Sequence, residues 1–319
     1  MYNIGVDIGG TNLAMGLVDE ELNIVQRVSI PFPKAGGGPE TARQIWEKTN
    51  ELLEKAGADI NDLESVGVVV PGSIDATGSI VVNAYNLGFH GEPLKERIEA
   101  YFPNTPVLLA NDANGAALAE FYKGAFMGCN TAALLTLGTG VGGGLILGGK
   151  MFNGGMNNGV ELGHMLLVSG GKYCTCGNNG CIEAYCSATA LKHEGIKAMQ
   201  DTPESMLNKR TGGKAERMNA KVVIDCAKEG DEAAVKVFDE YVDYLGSAVA
   251  SMINLLDCEC VAIGGGVSAA GEFLFAPLRQ NVHKKSFFEN HGRVVPAVMG
   301  NDAGIIGAAM LKRDQDKKL

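Results

Sequence analysis

The chain contains a dense group of metal-binding residue types near its middle. Residues 172–186 read KYCTCGNNGCIEAYC and hold four of the eight cysteines. One residue separates Cys174 from Cys176, and Cys181 follows after four more. His164 lies ten residues before Cys174. Because three thiolates and one imidazole can form a closed tetrahedral site, this spacing predicts a structural Zn²⁺.

Two other interpretations of the cysteines stay open at this level. Cys186 could replace His164 in a site of four thiolates, and buried thiols without a metal are the plainer alternative. A disulfide is disfavoured, because the opening MYNIGVDIGG lacks a basic start and Asp7 interrupts its apolar run, unlike a secretory signal. We therefore expect a cytoplasmic protein, in which clustered cysteines favour a metal.

Two glutamates flank the predicted zinc ligands. Glu161 precedes His164 by three residues, and Glu183 follows Cys181 by two. A histidine that binds zinc through one ring nitrogen can hydrogen-bond a ligand through the other. The metal would thus hold Glu161, His164 and Glu183 as one polar cluster, which suits a ligand with several hydroxyl groups.

Two stretches share a plan of apolar strand, glycine–threonine turn and second apolar strand. They are IGVDIGGTNLAMGLVD at 4–19 and ALLTLGTGVGGGLILGG at 133–149, and they predict a chain of two similar halves. We call residues 9–11 the first turn and residues 138–140 the second turn. Glycines let backbone N–H groups approach an anion, so both turns predict phosphate binding, although glycines also serve any tight hairpin.

Further residues extend the predicted nucleotide site. Asp7 ends the first strand, and an acid beside a phosphate turn commonly handles Mg²⁺, often through water. A third turn, at 264–266, also follows a strand and could hold a base or ribose, with an ordinary turn as the alternative. Neither a Walker loop nor a Rossmann fingerprint is present. The predicted nucleotide-binding residues are Asp7, Gly9, Gly10, Thr11, Asn12, Gly138, Thr139, Gly140, Gly142, Gly264, Gly265 and Gly266.

Asn111 and Asp112 stand between a short apolar strand and a predicted helix. An acid at the carboxyl end of a strand points into the region where α/β proteins bind ligands. Asp112 is therefore a candidate general base for phosphoryl transfer, and a helix N-cap is the alternative role.

The elements that carry these residues alternate between strands and helices, which predicts an α/β fold. Strands are predicted within residues 2–30, before Pro71, within 105–112 and before Gly264. Residues 31–39 are predicted to be a loop, and residues 201–220 are predicted to be a loop or an insertion. Helices are predicted at 40–57, from Ala113 onward, at 187–199, at 231–257 and at 301–313.

Bulk properties limit the possible partners. The 319 residues suffice for two domains, and the net charge of −10 gives no electrostatic surface for nucleic acid or anionic membrane. The uncharged stretch at 130–149 is long enough to cross a membrane, but a glycine cluster divides it into two short blocks. We expect strand, loop and strand there, and no membrane partner.

Together these motifs resemble the ROK family of sugar kinases and repressors, and within it the bacterial glucokinases. The resemblance covers nearly the whole chain. It is carried by DIGGTN at 7–12, PG at 71–72, ND at 111–112, LGTGVGGG at 137–144, ELGH at 161–164, CTCGNNGCIE at 174–183, GGGVS at 264–268 and DAGIIGAA at 302–309.

The resemblance implies a two-lobed fold of the actin-like, ribonuclease-H-like ATPase type with ATP in the cleft between the lobes. We place the N-terminal lobe at 1–112, completed by about 301–319, and the larger lobe with the zinc site at 113–300. Asp112 is implied as the base for a sugar hydroxyl, normally the 6-hydroxyl. The implied sugar contacts are Gly72, Asn86, Asn111, Asp112, Glu161, His164 and Glu183, and the implied zinc ligands are His164, Cys174, Cys176 and Cys181, which decides against Cys186.

The expected activity is ATP-dependent phosphorylation of a hexose, glucose to glucose 6-phosphate, with Mg²⁺. N-acetylmannosamine, N-acetylglucosamine, mannose and fructose are alternative substrates, because MNNGV at 156–160 departs from the small residues usual in glucokinases. Polyphosphate is an alternative donor, since some relatives use it. A non-catalytic sugar sensor is a remote alternative, and the first strand at Tyr2 leaves no room for the DNA-binding segment of the repressors. A homodimer or homotetramer is expected.

Overall fold

The structure is a computed structural model that describes residues 1–156 and 159–317. Its strands are β1 Tyr2–Ile8, β2 Asn12–Val18, β3 Ile24–Pro31, β4 Leu63–Val70, β5 Ser73–Ile74, β6 Val81–Ala84, β7 Phe89–Glu92, β8 Val107–Asn111, β9 Ala132–Leu137, β10 Val141–Leu147, β11 Lys150–Met151, β12 Cys260–Gly264 and β13 Arg293–Pro296. Its helices are α1 Gly37–Ala56, α2 Leu94–Glu99, α3 Asp112–Lys123, α4 Glu183–Cys186, α5 Ala188–Asp201, α6 Met206–Thr211, α7 Ala220–Lys228, α8 Glu232–Leu256, α9 Glu272–Lys285, α10 Ala303–Ala309 and α11 Leu311–Gln315.

Residue contacts divide the chain into two compact units. The first unit comprises Met1–Asn130, Gly144–Val160 and Val298–Leu319, and the second comprises Thr131–Gly143 and Glu161–Ala297. Helix α3, which begins at the predicted lobe boundary, lies in the first unit. The predicted lobe boundaries stay a prediction.

The first unit is built on a five-stranded sheet in the order β3-β2-β1-β4-β8. Strands β1, β4 and β8 are parallel, so their carboxyl ends, which carry Asp7, Gly72 and Asn111, meet at one edge of the sheet. Helix α10 lies directly on this sheet. A Cβ atom on Gly5 would lie 1.9 Å from the backbone oxygen of Ile305, so only glycine permits this approach.

The second sheet has the order β11-β10-β9-β12-β13, the same plan of neighbours as the first. In the second unit, β9, β12 and β13 are parallel, and the long helix α8 packs against α5, α7 and α9. Phe238, Leu245 and Val249 on α8 are buried, which is the apolar face expected from their helical spacing. The two hairpin-opened halves expected from the sequence are thus present in the sheet order.

The local structure differs in part from the prediction at 31–39 and 201–220 and agrees with it at 130–149. The prediction of a loop at 31–39 is wrong in part, because a short 3₁₀ helix spans Lys34–Gly36 and α1 begins at Gly37. The loop or insertion expected at 201–220 is also wrong in part, because the segment contains α6, whose N-cap Ser205 accepts a hydrogen bond from the backbone of Leu207. The stretch at 130–149 forms β9 and β10, and no helix among the described residues is both long and apolar enough to span a bilayer.

Candidate active site

The four predicted zinc ligands lie together in the second unit. One donor atom from each of them falls within 4.8 Å of all the others. His164 Nδ1 is 3.6 Å from Cys174 Sγ, and Cys176 Sγ is 3.6 Å from Cys181 Sγ. Two sulfurs bound to one tetrahedral zinc at about 2.3 Å lie about 3.8 Å apart, so the geometry and the donor chemistry fit this metal.

Glycines shape the loop that presents the thiolates. Gly177 and Gly180 have φ of 94° and 93°, a region that side chains rarely adopt. A Cβ atom on Gly180 would also lie 1.8 Å from the backbone oxygen of Val168. The loop is closed by the backbone N–H of Cys174, which donates to the oxygen of Asn178 at 2.8 Å. The sequence CGNNGC therefore sets the positions of Cys176 and Cys181.

The thiols differ in their tendency to ionise. Burial raises the pKa of Cys174 to about 12, whereas the backbone N–H of Asn178 lowers the pKa of Cys176. A divalent cation would have to displace the proton of Cys174 on binding. Cys186 lies outside the ligand cluster and is fully buried, and burial raises the pKa of its thiol far above the usual range. It is a core thiol, which agrees with the four-ligand set that includes His164.

The two glutamates of the predicted polar cluster have different surroundings. Glu161 is exposed and directly precedes the 3₁₀ helix Leu162–His164. Glu183 is half-buried and its carboxylate is already engaged. Its Oε2 accepts the backbone N–H of Val141 at 3.0 Å, and its Oε1 accepts the hydroxyl of Thr175 at 3.0 Å. Glu183 thus contacts both the zinc loop and the strand that leaves the second turn.

The second and third turns lie next to each other. Gly264 is paired with Thr136, and a Cβ atom on Gly265 would lie 2.5 Å from the backbone oxygen of Leu137, the residue before the second turn. Gly265 also has φ of 80°, so glycine is required there. Thr139 is exposed at the tip of the second turn. The second and third turns are thus in direct contact.

The first turn and its acid form a separate group in the first unit. The backbone N–H of Gly9 donates to the oxygen of Asn12 at 2.8 Å, and both Thr11 and Asn12 are exposed. Asp7 is half-buried below the turn, and burial raises the pKa of its carboxyl. A carboxylate in this position gains by neutralisation with a cation, as the predicted Mg²⁺ role requires. Asn86 lies beside the turn, since a Cβ atom on Gly10 would be 3.4 Å from that of Asn86.

The helix cap next to Asp112 is provided by its neighbour. Asn111 is the N-cap of α3, and its Oδ1 accepts the backbone N–H of Ala113 at 2.9 Å. Its Nδ2 donates to the backbone oxygen of Gly72 at 3.0 Å, which brings two predicted sugar contacts together. Asp112 is exposed at the first position of the helix, where its Oδ1 also accepts the N–H of Ala113 at 2.8 Å. Asn111 is thus the N-cap residue, and Asp112 shares the N–H of Ala113 with it.

Sequence reasoning missed three contributors to these groups. Gly304 lies against Asp7, because a Cβ atom there would be 2.2 Å from Asp7 Oδ2. Thr175 binds Glu183, and Thr189 donates its hydroxyl to the backbone oxygen of Thr139 at 2.7 Å. Gly304 lies inside the helical stretch DAGIIGAA, and a glycine at such a position can indicate that another residue packs closely against the helix. Nothing in the sequence distinguished the two threonines.

Comparisons with known proteins bear on what these groups do. The sequence model of the ROK family matches residues 3–315. The chain belongs to the ROK family. It is 38% identical to a glucokinase of Thermotoga maritima, over 98% of this chain and 97% of that protein. An N-acetylmannosamine kinase of Escherichia coli is 31% identical over 99% of both chains.

Solved structures of ROK members are similar along the whole chain. A ROK family glucokinase from Streptomyces griseus, in complex with glucose and AMPPNP, has a TM-score of 0.78 and 34% identity, covering 98% of this chain and 99% of that one. A ROK hexokinase from Thermus thermophilus has a TM-score of 0.85 and 30% identity, covering 99% and 100%. The two-lobed actin-like fold expected for this ROK protein is confirmed.

Proposed function

We propose that this ROK protein transfers the γ-phosphoryl group of ATP to a hydroxyl of a hexose, glucose being the substrate favoured by its relatives. Membership of the family and similarity to glucokinases identify a sugar kinase, a phosphotransferase with an alcohol acceptor. The observation that carries the mechanism is the position of Asp112. It stands at the carboxyl end of β8 and at the first position of α3, the place where α/β proteins bind ligands.

In the proposed step, the 6-hydroxyl of the sugar attacks the γ-phosphorus. Its proton passes to the carboxylate of Asp112 as the new oxygen–phosphorus bond forms and the bond to the β-phosphate oxygen breaks. The products are the sugar 6-phosphate and ADP. Because little covalent chemistry is needed, the protein contributes mainly by positioning the reactants and by stabilising the developing charge.

The nucleotide is proposed to bind through the glycine turns. Backbone N–H groups of the first and second turns face the phosphates, and the third turn contacts the ribose or base. Asp7 is proposed to hold Mg²⁺, directly or through water, because its carboxyl is half-buried and burial raises its pKa. Mg²⁺ would neutralise phosphate charge during transfer.

The sugar is proposed to bind to Asn111, Glu161, His164 and Glu183, with further contacts from Gly72 and Asn86. Zn²⁺ on His164, Cys174, Cys176 and Cys181 would fix the loop that carries Glu183. Its role is structural, because four protein ligands close the coordination shell.

N-acetylmannosamine is the second candidate substrate. The similarity to an N-acetylmannosamine kinase over 99% of the chain supports it. The departure MNNGV falls partly on Asn157 and Asn158, which lie outside the described residues.

Asp112→Asn tests the general base. We expect kcat to fall about 10²–10⁴-fold, the usual contribution of acid–base catalysis, because an amide cannot accept the proton. Glucose binding, measured by calorimetry, should be retained. Asp239→Asn removes the same charge from an exposed position on α8 and is the matched control. Turnover of Asp112→Asn close to that of the control would exclude the assignment.

A coupled assay of ADP formation tests the substrate. It compares kcat/KM for glucose, mannose, fructose, N-acetylglucosamine and N-acetylmannosamine, with ATP or polyphosphate as donor. We expect glucose with ATP to give the highest value. A higher value for N-acetylmannosamine would select the second candidate. The predicted homodimer or homotetramer is tested separately by light scattering.

A further inference from the structure

Val141 is held between the two chain segments that carry the metal ligands. It is the first residue of β10 and directly follows the second turn. Its backbone N–H donates to Glu183 Oε2 at 3.0 Å. Its backbone oxygen faces Gly163, where an added Cβ atom would lie only 2.0 Å away. Gly163 precedes the ligand His164, and Glu183 follows the ligand Cys181, so both sides of Val141 contact metal-binding segments.

The carboxylate of Glu183 connects the metal loop to this strand. Its Oε1 accepts the hydroxyl of Thr175, which lies between Cys174 and Cys176, and Cys174 Sγ is 3.5 Å from the same oxygen. An added Cβ atom on Gly140 would lie 2.4 Å from Oε2, so the carboxylate sits directly against the second turn. One side chain therefore connects the thiol of Cys174 and the hydroxyl of Thr175 to the second turn.

The carbonyl groups of the second turn are held by the segment that follows the metal loop. The backbone N–H of Ala188 donates to the oxygen of Gly138 at 2.8 Å, and the hydroxyl of Thr189 donates to the oxygen of Thr139 at 2.7 Å. Both donors lie at the start of α5. Residues 183–189 thus restrain the turn at both ends.

We propose that the metal bound by His164 and the three cysteines controls the nucleotide affinity of the second turn, with Glu183 and Thr175 as positioning residues. The metal joins the 3₁₀ helix Leu162–His164 to the loop of Cys174, and this link fixes the two surfaces that hold Val141. Loss of the metal frees Thr175 and Glu183 to move, and the turn loses a preorganised N–H arrangement. The inference rests on the proposed function, in which this turn binds phosphate.

Calorimetry of Mg²⁺–AMPPNP binding in the absence of sugar tests the coupling directly. We expect Kd to rise about tenfold when chelation removes the metal, as is typical for groups that orient a site through a metal shell. Thr175→Val, which keeps every metal ligand, should weaken binding about threefold, and Thr175→Ser should restore it. In Thr175→Val, metal removal should have a smaller effect than in the wild type, because the two changes break one connection.

Hydrogen exchange provides a readout that does not depend on binding. In the metal-free protein, the amide of Val141 should exchange faster, whereas the amide of Gly9, bonded within the first turn, should keep its rate. Equal acceleration at both positions would mean general unfolding and would overturn the coupling. An unchanged Kd in metal-free protein would overturn it as well.

Failure of the proposed function has a different signature. If metal-loaded wild type does not bind Mg²⁺–AMPPNP, or if Gly140→Ala binds it as the wild type does, the second turn is not a phosphate site. The coupling is then rejected together with that assignment. If Gly140→Ala weakens binding while chelation does not, only the coupling is rejected.

Discussion

The first and second turns occupy equivalent positions in two sheets of the same strand order but are held in different ways. Strand β1 ends at Ile8 and strand β9 ends at Leu137, so Asp7 in the first sheet corresponds in position to Thr136 in the second. Both turns close on themselves, the first through the bond from the N–H of Gly9 to the oxygen of Asn12 at 2.8 Å and the second through the bond from the N–H of Gly138 to the oxygen of Gly140 at 3.0 Å. The second turn is supported in addition by Glu183, whose carboxylate accepts the backbone N–H of Val141 and lies against Gly140.

The two halves therefore differ in where their acidic residue comes from and in what it contacts. The acid of the first turn, Asp7, lies within strand β1, and the proposed function assigns it to a cation. The acid at the second turn is Glu183, which lies 42 residues after Val141 in the chain and accepts the backbone N–H of Val141. Under the proposed function, the first half would use its acid to hold a cation, whereas the second half uses its acid to support the backbone of the turn.

Among the variants that distinguish the two turns, Asp7→Asn is expected to have the largest effect on activity. We expect kcat/KM with Mg²⁺–ATP to fall about 10²–10³-fold, the range seen when a group that stabilises developing charge is removed. Thr136→Ser, at the equivalent position of β9, is the control and should have little effect on turnover. Steady-state kinetics over a range of Mg²⁺ concentrations make the measurement. Similar losses in both variants would show that the acid has no special role.

Gly304→Ala tests the same acid indirectly. The added methyl group would lie 2.2 Å from Asp7 Oδ2, so the carboxylate must move. We expect activity to fall about tenfold with a raised requirement for Mg²⁺, because a misplaced ligand weakens positioning. Gly155→Ala adds a methyl group where no atom lies within 4 Å and is the control. An unchanged Mg²⁺ dependence in Gly304→Ala would contradict the role given to Asp7.

Gly140→Ala and Gly10→Ala compare the two turns by stability. The methyl group on Gly140 would displace Glu183 from Val141, and the loss of one charged hydrogen bond should lower Tm by about 2–6 °C. The methyl group on Gly10 would only approach Asn86 at 3.4 Å, an ordinary contact, so Tm should stay near that of the wild type. Thermal unfolding by circular dichroism gives both values. Equal shifts would show that the contact of Glu183 with the second turn adds no stability.

Much of this arrangement could be predicted from the sequence because its signals are local. Apolar runs bounded by glycine predicted the paired hairpins, and three cysteines at fixed spacing predicted the loop that meets His164. The polar helix α6 was missed because six residues give too little periodicity. The contacts of Gly304 with Asp7 and of Glu183 with Val141 join residues far apart in the chain, and only the folded backbone brings them together.

The half-buried carboxyl of Asp7 is also expected to affect thermal stability differently from an ordinary surface acid, although this effect is smaller. Burial raises the pKa of Asp7 above its usual value near 3.8, so the fold disfavours the ionised form. This cost is present above the folded pKa and absent below the unfolded pKa. In Mg²⁺-free buffer, Asp7→Asn should therefore raise Tm by about 2–4 °C at pH 7, and the difference should shrink as the pH falls through the folded pKa.

Asp75 provides the opposite case in the same unit. The hydroxyl of Thr77 and nearby backbone N–H groups hold its pKa at about 2, so its ionised form stabilises the fold above the unfolded pKa. That contribution is lost as the pH falls through the folded value. Asp75→Asn should consequently lower Tm at pH 7, and this difference should also shrink in acid. Thermal unfolding of both variants between pH 7 and pH 3 checks the signs, and a destabilised Asp7→Asn would show that the acid is held by internal partners rather than kept for a cation.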